Sequence, residues 1–202
     1  MAAAPQTAFT VWVTGLPASG KRAVAQEVAA LLRARGRAVE VIDSGRLRKT
    51  PLGASLGFSR DDRETNVRRH AMAAAMLTRN GVVAVISAVS PYRSTRDAIR
   101  SELGAFIEVW ASTPPEVCQA RDISGNWARA LAGELTGFTG VDAPYEAPVQ
   151  PAVVADIGQE SAQAAAARVL AAIDERGWSV PDTTDEDSHR LAEQLQVLGY
   201  SD

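Results

Sequence analysis

One cysteine, Cys118, and two histidines, His70 and His189, are all that 202 residues carry of those two types. A lone cysteine excludes an internal disulfide and suits a reducing compartment. Structural burial in a helix is its default reading, with a reactive role as the alternative. The histidines are too isolated to suggest a metal centre and read as surface or packed side chains. No apolar run approaches the length of a membrane span. The start, Met1 to Pro5, has neither the basic segment nor the long apolar core of a secretory signal, so a soluble, cytoplasmic protein is expected. The formal net charge of −3 gives no overall reason to expect a nucleic-acid partner. What the chain does have is hydrophobic content, 46%, enough for one α/β domain with a substantial core.

The most informative stretch is Gly15-Leu16-Pro17-Ala18-Ser19-Gly20-Lys21, a phosphate-binding loop complete up to its last position, which is Arg22. An apolar run, Phe9–Thr14, precedes it and a helical pattern, 21–35, follows, which is the context the motif requires. Glycines allow successive backbone N–H groups to surround a phosphate. The helix N-terminus adds partial positive charge, and Lys21 reaches the outer phosphates. A Ser or Thr hydroxyl at the last position ordinarily holds Mg²⁺, and arginine cannot coordinate a cation. Arg46, Arg48, Lys49, Arg60, Arg63, Arg68 and Arg69 crowd a second region and point to an anionic ligand.

Apolar runs alternate with helical periodicity, which predicts a P-loop α/β fold: a mostly parallel five-stranded sheet with helices on both faces. The expected strands cover 9–14, 38–42, 82–87, 106–111 and 153–156. The expected helices cover 21–35, 61–79, 95–103, 115–121 and 161–176. Residues 122–151 show little periodicity and read as a long loop closing over a site. After Gly177 the composition changes to a linker, and Leu191, Leu195 and Leu198 give one apolar stripe to a short final helix. The domain is therefore expected over 1–176 and an appendage over 177–202.

Four segments together resemble the adenylylsulfate kinase family, P-loop enzymes that phosphorylate the ribose 3′-hydroxyl of adenosine 5′-phosphosulfate (APS). The first is the glycine loop. The second runs from Leu56-Gly57-Phe58-Ser59 to Arg68-Arg69, and the third is Ser90-Pro91-Tyr92-Arg93-Ser94-Thr95-Arg96. The fourth extends from Phe106 to Phe138-Thr139-Gly140-Val141-Asp142-Ala143-Pro144-Tyr145-Glu146-Ala147-Pro148, the most specific run. The resemblance implies that Gly15, Ala18, Ser19, Gly20, Lys21 and Arg22 bind ATP phosphates and that Arg121 lies near the ATP adenine. It implies that Arg48, Phe58, Arg63 and Asn66 hold APS, that Phe138 stacks on the other face of its adenine, and that Arg69 joins the same set. Lys21 and Ser90 are the candidate catalytic residues. Ser90 matches a serine proposed to take phosphate transiently, and a hydroxyl capping the turn before Pro91 is the alternative.

Departures from the family pattern gather on the ATP side. Arg22 replaces the metal-holding hydroxyl. Gly45, in Asp43-Ser44-Gly45-Arg46-Leu47-Arg48, takes the place of a carboxylate thought to orient the attacking hydroxyl or the metal. Leu131 stands where the family has an arginine, and one extra residue separates Arg48 from Phe58. Mg²⁺ belongs to a kinase of this kind, yet its usual ligand is missing; Asp43 is a possible ligand, and Asp43 or Asp61 and Asp62 are the candidates to take over metal or base duties. Three readings stay open: an ATP-dependent APS kinase of weakened activity, a regulatory domain that binds APS or its 3′-phosphorylated product (PAPS), and an enzyme using the APS pocket for other chemistry. The expected partners are these small nucleotides, with no nucleic acid and no membrane; a homodimer or a sulfate-pathway partner is left open.

Overall fold

The computed structural model of the chain describes residues 8–51, 53 and 55–178. Five strands, β1 (Thr10–Gly15), β2 (Val39–Asp43), β3 (Val83–Ser87), β4 (Phe106–Ala111) and β5 (Val153–Ala155), form one sheet in the order β2-β3-β1-β4-β5. Every strand pairing is parallel, so the sheet is wholly rather than mostly parallel. The helices are α1 (Lys21–Ala34), α2 (Ser44–Leu47), α3 (Arg60–Arg79), α4 (Arg93–Leu103), α5 (Pro115–Ala120), α6 (Asn126–Leu131) and α7 (Ala162–Asp174).

The period of two along β1 decides which layer each residue feeds. Val11 and Val13 face α1 and α7, where Val24, Val28, Leu32, Val169 and Ile173 complete one core. Trp12 faces the opposite layer, with Ile86 beside it and Val67, Ala71, Ala74 and Ile99 from α3 and α4 above it. β1, β3 and β4 are buried on both faces and read as continuous apolar runs for that reason. α3 starts where the Ser59 hydroxyl accepts from the Asp62 amide at 3.1 Å, with Asp61 and Asp62 in its positive first turn.

Two short helices were not expected from the sequence. α2 is one turn, capped by Asp43, whose carboxylate accepts from the Arg46 amide at 2.8 Å. α6 lies inside the stretch read as a loop and buries only Trp127 and Ala130, too few positions to show a period. Trp178 stacks on Phe9 with ring centroids 5.6 Å apart. The expected final helix and most of the linker lie outside the described residues. Cys118 is buried, its thiol donating to the Thr113 carbonyl at 3.4 Å, and burial raises its pKa, which matches the structural reading. His70 is packed inside α3, with Nδ1 against the Asn66 carbonyl. No described helix is long and apolar enough to cross a membrane.

Candidate active site

β1 delivers the chain into the loop at Gly15, where a Cβ would lie 2.5 Å from the Ala111 carbonyl oxygen. At the far end Gly20 has φ +89°, and a Cβ there would meet Ile157 at 2.8 Å. Only glycine fits either position. Ala18 holds φ 63°, a left-handed value uncommon outside glycine. Lys21 is buried, and its ammonium donates to the Leu16 carbonyl at 2.5 Å and lies 3.4 Å from the Ser19 hydroxyl. Burial lowers its pKa to about 8. Thr113 braces the loop from behind: its hydroxyl donates to the Ser19 carbonyl at 3.0 Å and accepts from the Ile157 amide at 3.1 Å. Arg121 donates to the Ile157 carbonyl at 2.6 Å.

Arg22 and Asp43 form a forked ion pair across the mouth of the loop, Nε to Oδ2 at 2.6 Å and Nη2 to Oδ1 at 2.9 Å. Burial works against the Asp43 charge, but Arg22 and the amides of Arg46 and Gly45 outweigh it, and the carboxylate pKa is lowered. A Cβ at Gly45 would sit 3.2 Å from Asp43 Oδ1 and 3.7 Å from Arg22 Nη2. Two of the departures noted in the sequence, Arg22 and Gly45, are thus neighbours around Asp43, a candidate metal ligand.

Across the cleft stands a wall with two aromatic rings. Phe58 is 56% exposed, and the Arg48 guanidinium lies 4.5 Å from its ring centroid. Arg48 also donates to the Leu56 and Gly57 carbonyls at 3.1 and 3.0 Å, so the extra residue before Phe58 does not separate the two. Arg63 donates to the Phe58 carbonyl at 2.9 Å, to the Thr139 hydroxyl at 2.6 Å and to the Gly137 carbonyl. Three of its N–H groups are therefore spent on protein, where the sequence suggested a ligand. Asp142 clamps the Phe138 loop, accepting from the Gly137 and Phe138 amides at 2.6 Å each. Trp127 meets Phe138 edge-on at 5.2 Å and donates to the Pro17 carbonyl at 3.1 Å, which joins this wall to the phosphate loop. Asn66 reaches the Ser44 hydroxyl at 3.0 Å. Thr139, Asp142 and Trp127 were not singled out as site residues in the sequence; Thr139 and Trp127 act through partners 76 and 110 positions away, while Asp142 works within its own turn.

Ser90 is buried, with φ 44°, and its hydroxyl accepts from the Trp12 indole N–H at 3.0 Å. Its carbonyl accepts from Arg96 at 2.6 Å, and the same guanidinium donates to the Glu146 carbonyl at 2.6 Å and pairs with Glu108 at 2.8 Å. Glu146 in turn donates its amide to the Pro91 carbonyl at 2.8 Å and accepts from the Arg93 amide at 2.7 Å. The SPYR and PYEAP segments are therefore two halves of one latch. Tyr145 is held near Thr14 at 3.0 Å, and burial pushes its pKa up to about 12.

The phosphate loop and the aromatic wall open onto one cleft of about 1980 Å³, larger than the ~300–1,000 Å³ of a pocket for a single small ligand. Lys21, Arg22, Asp43, Arg48, Phe58, Arg63, Asn66, Ser90, Arg121 and Phe138 all line it. Arg69, exposed on α3, does not.

A family model for adenylylsulphate kinase matches residues 7–156. The chain belongs to the adenylylsulphate kinase family. It is 40% identical over 173 residues to the adenylyl-sulfate kinase of Rippkaea orientalis, covering 86% of this chain and 95% of that one. It is 49% identical over 152 residues to the adenylyl-sulfate kinase of a Synechococcus species, covering 75% and 86%. The Mycobacterium tuberculosis APS kinase, solved in complex with AMPPNP and APS, superimposes with a TM-score of 0.79 at 37% identity, covering 84% of this chain and 99% of that one. The protein is accordingly a phosphotransferase of the adenylyl-sulfate kinase type.

Within the adenylylsulphate kinase family, Mg²⁺ held by the loop is the part that the residues present do not fit. Arg22 occupies the position of the hydroxyl, and its guanidinium covers both oxygens of Asp43. No group of three or more His, Cys, Asp or Glu side chains that could hold a metal occurs among the described residues.

Proposed function

We propose that the protein is a slow adenylyl-sulfate kinase. ATP lies with its phosphates in the loop 15–21, and APS lies with its adenine between Phe58 and Phe138. The ribose 3′-hydroxyl of APS attacks the γ-phosphorus and loses its proton to solvent, the bond to the β,γ-bridging oxygen breaks, and ADP and 3′-phosphoadenosine 5′-phosphosulfate result. The observation that carries this reading is the Arg63 staple, which holds the Phe58 and Phe138 loops together on the wall facing Lys21. Lys21 neutralises the outer phosphates, Arg48 keeps N–H groups for the phosphosulfate, and the rings supply base stacking.

The reduced rate follows from what surrounds Asp43. Its oxygens are taken by Arg22 and the Arg46 amide, and Gly45 offers none. General-base assistance is worth about 10²–10⁴-fold, and phosphoryl transfer rests further on charge neutralisation at the transferring group. The test is a coupled assay of ADP release with APS and Mg·ATP, run beside calorimetry of each nucleotide. Transfer below the ordinary kinase range of roughly 1–100 s⁻¹ with APS bound is the expected result. Binding of APS without any transfer would replace this reading with the regulatory one, and no binding of APS would sink both.

A further inference from the structure

The Arg22 guanidinium has two edges in different circumstances. One edge, Nε and Nη2, forks onto Asp43. The other edge, Nη1 and the second N–H of Nη2, has no partner among the described residues. The side chain is 56% exposed and lines the same cleft as Ser19, Gly20 and Lys21. Asp43 is itself fixed, its side chain 10% exposed and bonded to the Arg46 amide at 2.8 Å. No acidic residue occupies the first turn of α1 to compete for the cation.

An arginine pinned along one edge has already lost rotamer freedom on folding, so ordering it on a ligand costs little more. Its open edge presents two parallel N–H groups, the geometry that phosphate oxygens accept in pairs. The family position it occupies is the one that otherwise brings positive charge to those oxygens through a metal. With arginine in place of the hydroxyl and its guanidinium on both oxygens of Asp43, the loop offers Mg²⁺ neither ligand.

We propose that Arg22, oriented by Asp43, is a resident counter-cation for the outer phosphates, and that the loop takes nucleoside di- and triphosphates free of divalent metal. The proposal rests on the reading that residues 15–21 bind nucleotide, and it names the ionic form of that ligand. Metal buys no affinity at this site, and Asp43 acts as the positioning residue for Arg22.

Calorimetry with AMPPNP, in excess Mg²⁺ and again in EDTA, tests this on the full chain. The wild-type affinities are expected to agree within about threefold. A charge-assisted hydrogen bond is worth about 1.5–3 kcal/mol, so Arg22→Ser is expected to weaken binding in EDTA about tenfold or more and to restore a preference for Mg²⁺. Asp43→Asn keeps the Arg22 charge but removes its anchor, and is expected to weaken binding in EDTA by less. Thermal melting of each variant, with Arg22→Lys as a second charged control, separates a folding defect from a lost ligand contact. A wild-type affinity that rises more than tenfold with Mg²⁺ overturns the proposal, as does metal-free binding unchanged in Arg22→Ser. Metal-independent AMPPNP binding without phosphoryl transfer to APS upholds the proposal and removes the kinase reading. Transfer with strongly Mg²⁺-dependent binding does the reverse.

Discussion

Arg63 donates to the Thr139 hydroxyl at 2.6 Å across 76 positions of sequence, and this bond couples helix α3 to the loop that carries Phe138. The resemblance implies that this arginine holds APS; in the fold three of its N–H groups tie the Phe58 and Phe138 segments together, and the side chain lines the cleft. Burial lowers its pKa, but an arginine stays charged regardless.

Arg63→Ala should therefore weaken APS binding by about 1.5–3 kcal/mol, as expected when a charged hydrogen-bonding group is lost. Thr139→Val removes one acceptor and leaves the charge, and should cost about 0.5–1.5 kcal/mol. Calorimetry with APS on both variants checks the ordering. Equal affinity for wild type and Arg63→Ala would show that the staple does not shape the site.

Lys21 offers a pH signature. Its folded pKa, about 8, lies below the value of 10.5 of an unperturbed lysine. The unfolded chain binds more protons between those values, so stability of the ligand-free protein should rise with pH from about 8 toward 10.5, by up to roughly 3 kcal/mol. Nucleotide phosphates restore the ammonium, so binding at pH 8 should take up about half a proton. Calorimetry in buffers of different ionisation enthalpy measures that uptake, and Lys21→Met should abolish both effects.

Arg22→Ser together with Gly45→Asp should raise turnover beyond the sum of the single changes. Gly45→Asp alone places a second carboxylate beside Arg22, which captures it; only without the guanidinium do oxygens at 22, 43 and 45 face one another. Because the two sites share partners, their effects are non-additive. Steady-state kinetics of all four proteins tests this. A wild-type rate already within roughly 1–100 s⁻¹ would show that Arg22 and Gly45 impose no defect.

Gly140→Ala should loosen the joint between the aromatic wall and the phosphate loop. Its φ is +101°, and a Cβ would lie 2.8 Å from the Trp127 ring and 2.9 Å from Leu16. Backbone strain of this kind costs about 1–3 kcal/mol, to be read as a lower melting temperature with weaker nucleotide binding. An unchanged melting curve would mean that the loop shifts freely away from Trp127.

The phosphate loop and all five strands were legible because each is written in contiguous residues: a glycine spacing, or a short apolar run between turn residues. β4 was bounded correctly at both ends, Phe106 and Ala111. α6 was not legible, since Trp127 and Ala130 alone define its buried side. The SPYR and PYEAP motifs were visible as text, but their mutual latch through Arg96 and Glu146 is tertiary and leaves no local pattern. The Arg22–Asp43 fork escaped for the same reason: its partners are 21 positions apart and meet only because β2 ends beside the start of α1. The role of Arg63 toward APS came from the resemblance, while its bonds to the Phe58 and Gly137 carbonyls and the Thr139 hydroxyl are tertiary and leave no local pattern.

Thr113 has a mechanical consequence. One hydroxyl stitches the phosphate loop, through the Ser19 carbonyl, to the Ile157 amide just beyond β5, and Ile157 is also wedged against Gly20. The loop, β4 and β5 therefore move as one stiff abutment. The facing wall is fastened differently, the Phe58 and Phe138 segments being tied to each other through Arg63 and to the loop through the Trp127–Pro17 bond.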